Sequence, residues 1–425
     1  MPIKRLTVAN FKGIARRTEF DIRPITIFVG PNSSGKSSCI HALTSLGQTL
    51  KLGNSAPAIV LDDDFAQVHL GRFVEIAHSH SYSDPITIGI DIGDRPVFIP
   101  GRRRGEAPPV GAVRAEYDFK STMRTQEVYV DAAKVAFRDT SFAIKRGAKS
   151  PYKFTTTEEL TKRKHETMRS NNFLFQLVPT NPPPGEEEKV GWFEPYWLFD
   201  AVQREIEGEL RGVRYLGPFR QPPLRRYPFR GATASEVGAQ GEATITMLAS
   251  EFLQTQDRTH ARRINRWLSE MGLAKSLELS RVGSSDLFDV SFKLADGNKL
   301  PIADLGYGLS QVLPVITQCS FAAHGSTLLF EQPELHLHQG AATKLASVFL
   351  ETAHDKAASL LIETHSKELV FELLQSVKAG ALPPGDLAIY TVQRVGGESQ
   401  YRRVRLEWDG EHLEVDDDWV RGLLA

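Results

Sequence analysis

The amino-terminal part of the chain alternates between apolar and polar residues and then turns wholly apolar. Residues 3–8 alternate, as expected of a strand with one buried face, and Ile25–Val29 is a short apolar run that precedes a glycine-rich loop. Residues 37–50, directly after that loop, can form a helix. From about residue 84 to residue 147, alternating segments follow one another, which predicts an antiparallel sheet rather than strand–helix–strand units.

The carboxyl-terminal part returns to apolar strands separated by helices, the pattern of an α/β fold. The predicted elements are a helical stretch around 242–272, a hairpin near 287–301, strands at 326–331, 358–362 and 387–393, and helices at 339–355 and 366–378.

The segment between these two parts has a different character. Residues 156–168 are charged and read as helical, residues 193–212 read as a second helix, and residues 211–230 hold six arginines and no acidic residue. We interpret this segment as an inserted mixed and helical arm without the sustained heptads of a long coiled coil. The expected organisation is therefore an amino-terminal lobe (1–147), the arm (148–235) and a carboxyl-terminal lobe (236–425).

Composition limits the environment in which the chain works. Its 425 residues carry 51 Lys plus Arg against 52 Asp plus Glu, so a uniformly basic coat is excluded and nucleic acid could contact only a local patch. Two cysteines, Cys39 and Cys319, make no disulfide framework, and no secretory segment opens the sequence. The uncharged run 305–330 contains proline, glycine and amide residues, so it fails as a membrane span. We expect a cytoplasmic protein without a membrane partner.

The loop after the first apolar run matches the phosphate-binding pattern G-x-x-x-x-G-K-[ST]. Glycines let the backbone wrap a phosphate, Lys36 can reach the outer phosphates of a nucleotide, and the Ser37 hydroxyl can hold Mg²⁺. An ordinary glycine–serine turn with an incidental lysine is disfavoured, because the pattern stands in register between a strand and a helix. The loop comprises Gly30, Pro31, Asn32, Ser33, Ser34, Gly35, Lys36, Ser37 and Ser38.

Two later apolar strands end in residues suited to nucleotide chemistry. Glu331 ends the first and can fix Mg²⁺ through water, and His365 follows the second, where it could touch an outer phosphate. A structural histidine is the alternative for His365 taken alone. His336 and His338, beside Glu334, raise a zinc site as a less favoured alternative, since no cysteine is near and a loop beside a nucleotide site explains them as well.

Five stretches in this order resemble the ABC-type ATPases of the SMC, RecF and OLD group. They are IKRLTVANFKGI, the phosphate loop, DLGYGLSQVLPVI, LLFEQPELHLHQ and LLIETHSKEL, and the resemblance covers roughly residues 1–95 and 210–425. The likeness is closest to the stand-alone ATPase subunits of prokaryotic defence operons such as Septu and PARIS. It implies an ABC-type P-loop ATPase head with an amino-terminal antiparallel β subdomain, and ATP and Mg²⁺ as cofactors.

The resemblance also implies roles for individual residues. Lys36 and Ser37 would bind ATP and Mg²⁺, and His365 would be the switch histidine. Gln67 would sense Mg²⁺, although a surface-loop glutamine is at least as good a reading. The signature-like stretch 306–311 would reach the γ-phosphate held by a second subunit, which implies a head-to-tail homodimer or higher homo-oligomer. Its contacting residues would be Gly308, Ser310 and Gln311; read alone, the stretch is a glycine-rich turn before a helix.

One position departs from the family pattern. The usual strand ends in Asp-Glu-Pro, and the second acid orients or deprotonates the attacking water; here the residues are Glu331, Gln332 and Pro333. An amide cannot act as a general base, although it can orient water, and Glu334 or His365 could compensate. Because a general base typically contributes about 10²–10⁴-fold, slow turnover is expected.

The functional expectation is a nucleotide-driven switch that controls a separate protein. Too little chain follows His365 for an appended nuclease domain, so the effector, a nuclease, would be separately encoded. Residues 211–230, with their arginines and aromatic residues, have two interpretations that both stay open: direct contact with DNA, or a structural role. The alternatives are a RecF-like repair ATPase that clamps DNA, and a scaffold locked by ATP without hydrolysis.

Overall fold

The chain, seen here as a computed structural model, folds into two compact units that each draw on several chain segments. The first consists of Met1–Ile22, Ser33–Val213 and Gln393–Gln400, and the second of Arg23–Asn32, Arg214–Val392 and Tyr401–Ala425. The structure describes residues 3–53, 57–99, 107–147, 152–156, 166–179, 186–229, 231, 234–254, 257–409 and 412–424.

The first unit is built on a seven-stranded antiparallel sheet, with the strands in the order β2-β1-β4-β5-β6-β7-β8. Alternate residues along β5 are buried, so one face of that strand packs against the core. The predicted antiparallel sheet within 84–147 is confirmed. Its strands are β1 (Arg5–Ala9), β2 (Thr18–Asp21), β4 (Ile86–Pro96), β5 (Val110–Ser121), β6 (Val128–Phe137), β7 (Thr140–Lys145) and β8 (Lys153–Thr156).

Helices and one hairpin complete the first unit. They are α1 (Ser37–Lys51), α2 (Phe73–Ile76), the hairpin of β9 (Glu166–Asn171) and β10 (Leu174–Pro179), and α3 (Glu186–Arg211). Phe199 of α3 packs edge-on against Phe142 and Phe154 of the sheet, at centroid distances of 5.2 and 5.7 Å. The helix predicted over 156–168 is wrong at both ends, because β8 ends at Thr156 and β9 begins at Glu166; the residues between lie outside the described ranges.

The second unit contains a six-stranded sheet in the order β11-β16-β17-β3-β18-β19. The pairs β16–β17, β17–β3 and β3–β18 are parallel. Every residue of β3, β16 and β17 is buried, which explains why these strands read as continuous apolar runs rather than alternating ones. The strands are β3 (Ile25–Val29), β11 (Val213–Leu216), β16 (Thr327–Glu331), β17 (Ser359–Thr364), β18 (Leu387–Val395) and β19 (Glu398–Val404).

A smaller sheet and a set of helices surround these strands. The predicted hairpin near 287–301 is confirmed, formed by β14 (Leu287–Lys293) and β15 (Lys299–Pro301). The helix predicted over 242–272 is two helices, α4 (Thr244–Gln254) and α5 (Thr259–Glu270), and Arg258, just before α5, adopts a left-handed backbone at φ +45°. The elements are β12 (Arg226–Pro228), β13 (Ser276–Arg281), β14 (Leu287–Lys293), β15 (Lys299–Pro301), β20 (Leu406–Trp408), β21 (Leu413–Val415), α4 (Thr244–Gln254), α5 (Thr259–Glu270), α6 (Tyr307–Ser320), α7 (Gln339–Lys356), α8 (Lys367–Lys378) and α9 (Asp418–Arg421).

The α/β fold class and the amino-terminal antiparallel subdomain are confirmed. The units divide the chain differently from the three expected segments, since residues 148–213 fall in the first unit and residues 214–235 in the second. Within the described ranges, no helix combines the length and the apolar character needed to cross a membrane. Cys39 and Cys319 are both buried free thiols.

Candidate active site

The phosphate loop begins directly after β3, and its last two residues, Ser37 and Ser38, are the first two of α1. Its backbone takes the positive φ angles that let successive N–H groups turn inward, +60° at Ser33 and +98° at Gly35. Lys36 is buried, and Ser38 donates its N–H to the carbonyl oxygen of Gly35 at 3.0 Å, which closes the last turn of the loop onto α1. This local conformation suits an anion at a helix N-terminus.

Ser399, the second residue of β19, holds the phosphate loop from a distant part of the sequence. Its hydroxyl donates to the carbonyl oxygen of Ser34 at 2.6 Å, and its N–H donates to that of Gly13 at 2.7 Å. A Cβ atom at Gly35 would collide with the Ser399 hydroxyl, so glycine is required there for space as well as for its φ angle. Sequence reasoning missed Ser399, since no local pattern marks a contact across so long a separation.

The carboxyl ends of the three central parallel strands lie side by side. Glu331 of β16 is in register with Glu363 of β17, and Thr364 is in register with Val29, the last residue of β3 before the phosphate loop. Glu331 and Glu363 are both 5% exposed. The strand order therefore brings two buried acidic side chains to the same sheet edge at which the phosphate loop begins.

Two side chains of the segment after α3 contact Glu331. The Tyr215 hydroxyl donates to Glu331 Oε1 at 2.8 Å, and Arg220 Nη2 donates to the Glu331 carbonyl oxygen at 3.2 Å. Burial and the Glu331 charge raise the pKa of Tyr215, so the phenol stays a donor. Burial lowers the pKa of Arg220 to about 10, which leaves the guanidinium charged at neutral pH. Neither residue was predicted for this site.

Gln332, which directly follows the last residue of β16, has a strained backbone. Its φ of +46° lies in the left-handed region, which costs a non-glycine residue about 1–2 kcal/mol. Its N–H donates to the Glu363 carbonyl oxygen at 2.8 Å, which holds the turn against β17. Strain of this kind concentrates at functional sites, where the surrounding structure maintains it.

Glu334 and His365 meet at the end of β17. Glu334 Oε1 accepts hydrogen bonds from the Thr364 hydroxyl at 2.7 Å and from the His365 N–H at 3.0 Å. His365 itself is exposed. The structure thus brings together Glu331, Gln332, Glu334 and His365, the four residues that the sequence marks as catalytic candidates.

The signature-like stretch forms the start of α6, with Gly306 as its N-cap. Ser310 and Gln311 are buried, and the Ser310 hydroxyl donates to the Tyr307 carbonyl oxygen at 2.8 Å. A Cβ atom at Gly308 would lie 2.8 Å from the His336 carbonyl oxygen, closer than real contacts allow. The helix start therefore packs tightly against the loop that follows β16.

The structure places Gln67 away from Ser37. Gln67 Oε1 accepts a hydrogen bond from Lys51 Nζ at 3.3 Å, and its N–H donates to Gln48 Oε1 at 3.0 Å. Lys51 is the last residue of α1 and Ser37 the first, and at 1.5 Å per residue the helix between them is about 20 Å long. The expected joint metal role of Gln67 and Ser37 does not match this arrangement.

The histidines near Glu334 have structural roles in the described part of the chain. His338 is the N-cap of α7, where Nδ1 accepts the Ala341 N–H at 3.3 Å. His336 lies 6.0 Å from Tyr307 between ring centres. No group of three or more His, Cys, Asp or Glu side chains that could hold a metal ion occurs among the described residues.

The basic segment 211–230 supplies less free charge than its sequence suggests. Tyr215 and Arg220 are buried and so are unavailable to a nucleic acid. The exposed arginines that the structure describes are engaged in ion pairs: Arg211 with Glu207, Arg225 with Asp304 and Arg226 with Asp289. Phe219, at 82% exposure, is the most open aromatic residue described in this segment.

Comparison with known families matches two parts of the chain. Residues 1–176 match a family model described as an AAA ATPase domain. Residues 199–371 match one described as an AAA domain, putative AbiEii toxin, type IV TA system. The first match contains the phosphate loop, and the second contains Glu331, Gln332, Glu334 and His365, whereas Ser399 lies outside both matched stretches. No curated protein matches the sequence.

Solved structures that are similar to this chain include three SMC heads. The SMC head domain from Thermotoga maritima has 12% identity and a TM-score of 0.40, with 95% of this chain and 100% of that chain covered. An SMC head bound to the C-winged helix domain of ScpA has 13% identity, a TM-score of 0.45 and coverages of 96% and 98%. An SMC head with an extended coiled coil, bound to the C-terminal domain of ScpA and derived from Pyrococcus furiosus, has 10% identity, a TM-score of 0.47 and coverages of 95% and 96%.

Proposed function

We propose that this chain is a slow ATPase switch that dimerises head-to-tail around ATP and controls a separately encoded effector, a nuclease, in defence against phage. The observation that carries the ATPase part is the strand-end arrangement of Glu331, Gln332, Glu334 and His365 on the sheet whose central strand leads into the phosphate loop. The AAA-type sequence matches at both ends of the chain support it.

The residues present fit a nucleotide with Mg²⁺. The phosphate loop offers the positive-φ backbone of Ser33 and Gly35 and the buried Lys36 for the phosphates, and the Ser37 hydroxyl is a hard oxygen donor of the kind that Mg²⁺ prefers. In this proposal the Glu331 carboxylate, at the end of β16, would be the other such donor. When bound, Mg²⁺ neutralises charge on the phosphate oxygens. The chain itself binds the phosphates through the loop and orients water through the Gln332 amide. Glu334 or His365 receives the proton of that water.

Slow turnover follows from the chemistry of Gln332. A neutral amide accepts and donates hydrogen bonds but does not take up a proton at neutral pH. Removal of a proton from the attacking water, which normally uses a positioned base, therefore has no base at the Gln332 position. An ATP-bound dimer would then persist for long periods. Such persistence suits a switch whose output depends on the bound state rather than on rapid cycling.

The dimer and the effector rest on other observations. The tight packing of Gly308 against the loop after β16 links the signature-like helix start to the strand-end residues, so a second subunit's nucleotide could be sensed there. One of the matching family models is named for a toxin of a toxin–antitoxin system, which accords with a chain that acts together with a separately encoded protein.

The test is ATP turnover by purified protein, measured for wild type beside Lys36→Ala, with and without DNA. We expect slow hydrolysis that Lys36→Ala abolishes, together with an increase in mass to a dimer when ATP is added. Turnover that Lys36→Ala leaves intact would refute the proposed site. Tight ATP retention with no turnover would favour the ATP-locked scaffold, and salt-sensitive DNA binding without any partner would favour the repair ATPase.

A further inference from the structure

A buried arginine at the end of β16 has more hydrogen-bonding capacity than its contacts use. Arg220 is 8% exposed, and only its Nη2 donates, to the Glu331 carbonyl oxygen at 3.2 Å. Among the described residues, neither Nε nor Nη1 has an acceptor, although both are buried. A buried donor without a hydrogen-bond partner costs about 1–3 kcal/mol of stability, and more when the group is charged. The two unpartnered donors of Arg220 therefore call for an explanation.

The nearby carboxylate of Glu334 has one oxygen that lacks a hydrogen-bond donor. Glu334 Oε1 accepts from Thr364 and from the His365 N–H, but Oε2 is buried and has no donor among the described residues. Glu334 stands three residues after Glu331, whose carbonyl oxygen Arg220 holds, so the cation and the carboxylate with one free oxygen both belong to the end of β16 and the loop that follows it. The Glu334 charge also raises the pKa of Arg220, against the lowering effect of burial.

The contacts also define what Arg220 could position. The Glu331 carbonyl that it holds belongs to the peptide bond leading into Gln332, whose left-handed backbone begins the loop to Glu334. The other charged or titratable groups facing it are Tyr215, Glu331 and, through Tyr215, Glu363. A guanidinium has five N–H donors in a fixed planar fork, so one arginine can bond a carbonyl and a carboxylate together.

We propose that Arg220 is a positioning residue for ATP hydrolysis: a turn of its side chain would pair the unused N–H groups with the free Glu334 oxygen, bridging the Glu331 carbonyl oxygen and the Glu334 carboxylate and so fixing the loop that carries Gln332. The inference rests on the proposed ATPase function. It assigns the Arg220 side chain, in the basic segment 211–230, to the hydrolysis site rather than to a nucleic-acid surface. Its action is through Gln332 and Glu334, and it need not touch the nucleotide.

The test is a double-mutant cycle of Arg220→Lys and Glu334→Gln, read in kcat, in the Kd for ATP and in Tm. Lysine keeps the charge but has no planar fork, so it cannot hold both partners. We expect each single variant to lower kcat by about tenfold or more, and the double variant to be no worse than the poorer single variant, because both break one bridge. The Kd for ATP should stay within about threefold throughout, since positioning acts after binding.

The matched control is Arg225→Lys, five residues further along, because Arg225 makes a two-point contact with Asp304 at the surface. It should leave kcat unchanged. The inference would be overturned if the two single-variant reductions in kcat multiplied in the double variant. It would also be overturned if the variants raised the Kd for ATP and kept the wild-type kcat.

Tm separates this inference from the proposed function. The bridge predicts non-additive Tm shifts across the cycle whether or not ATP is hydrolysed, so additive shifts overturn it. If wild type shows no turnover, the proposed ATPase fails, and the catalytic part of this inference fails with it; non-additive Tm shifts would then support only the bridge.

Discussion

Replacing Gln332 with glutamate should turn the slow site into a faster one. The substitution is nearly isosteric and leaves the backbone strain unchanged, because both side chains meet the same penalty at φ +46°. The main-chain hydrogen bond to the Glu363 carbonyl oxygen is also unaffected. What changes is that a group able to take up a proton now stands after Glu331. A positioned base contributes about 10²–10⁴-fold, which corresponds to about 2.7–5.4 kcal/mol of barrier.

The structure places the expected gain at the low end of that range. The new carboxyl would join the acidic side chains of Glu331, Glu334 and Glu363 at the ends of β16 and β17, and a like charge nearby disfavours the ionised form of a carboxyl group. That repulsion raises the pKa of the introduced group and lowers the fraction available as base, while the Arg220 charge opposes it. We therefore expect kcat to rise by about 10²-fold rather than 10⁴-fold.

The assay is single-turnover and steady-state hydrolysis of ATP by wild type and Gln332→Glu, each also in the Lys36→Ala background. Gln339→Glu is the matched control, because it adds the same charge at an exposed residue that pairs with Glu368 at the start of α8. An unchanged or lower kcat for Gln332→Glu, with ATP binding intact, would refute the idea that the missing base limits turnover. An equal gain in Gln339→Glu would also refute it.

Three further outcomes are expected. Ser399→Ala removes the bond to the Ser34 carbonyl oxygen and should weaken ATP binding by about fivefold, in line with about 1 kcal/mol for one hydrogen bond; an unchanged calorimetric Kd would contradict this. Gly308→Ala should lower Tm and block ATP-driven dimerisation because its Cβ lacks space, whereas Gly306→Ala, with no atom within 4 Å, should behave as wild type; equal behaviour of the pair would contradict it. Burial lowers the pKa of His260 below 6.5, so the unfolded state binds the proton more readily and stability falls as pH falls from about 6.5 toward the lower folded-state pKa. Wild type should lose more Tm than His260→Phe between about pH 7.5 and 5.5, and equal losses would contradict this.

The sequence predicted those parts of the fold and site that depend on local patterns. Ile25–Val29 reads as a buried strand because both its faces are covered, and the glycines of the phosphate loop follow it directly. The positions of Glu331 and His365 could be predicted because Glu331 ends such a strand and His365 directly follows one, and parallel strands present their carboxyl ends at one edge. Placement that follows from chain order and strand direction is therefore predictable without a structure.

Contacts made across the sequence could not be predicted in the same way. Arg220 and Tyr215 looked like part of a basic–aromatic surface because burial depends on the pairing of β11 beside β16, which composition does not show. Gln67 was placed at the metal because nothing local reveals which end of α1 its loop meets. The helix predicted over 156–168 is wrong at its two ends, because Thr156 and Glu166 belong to strands whose pairing partners the local charge pattern does not reveal.

The way the chain alternates between its two units has a practical consequence for dissecting it. A cut between Val213 and Arg214 looks like a natural border, but it would leave β3 on one fragment while its neighbours β17 and β18 are on the other. Each fragment would expose the unpaired edges of a parallel sheet and would tend to aggregate when expressed alone. Co-expressed, the two fragments could restore the sheet by pairing with each other, so this border is suited to a split-protein complementation reporter rather than to isolated domains.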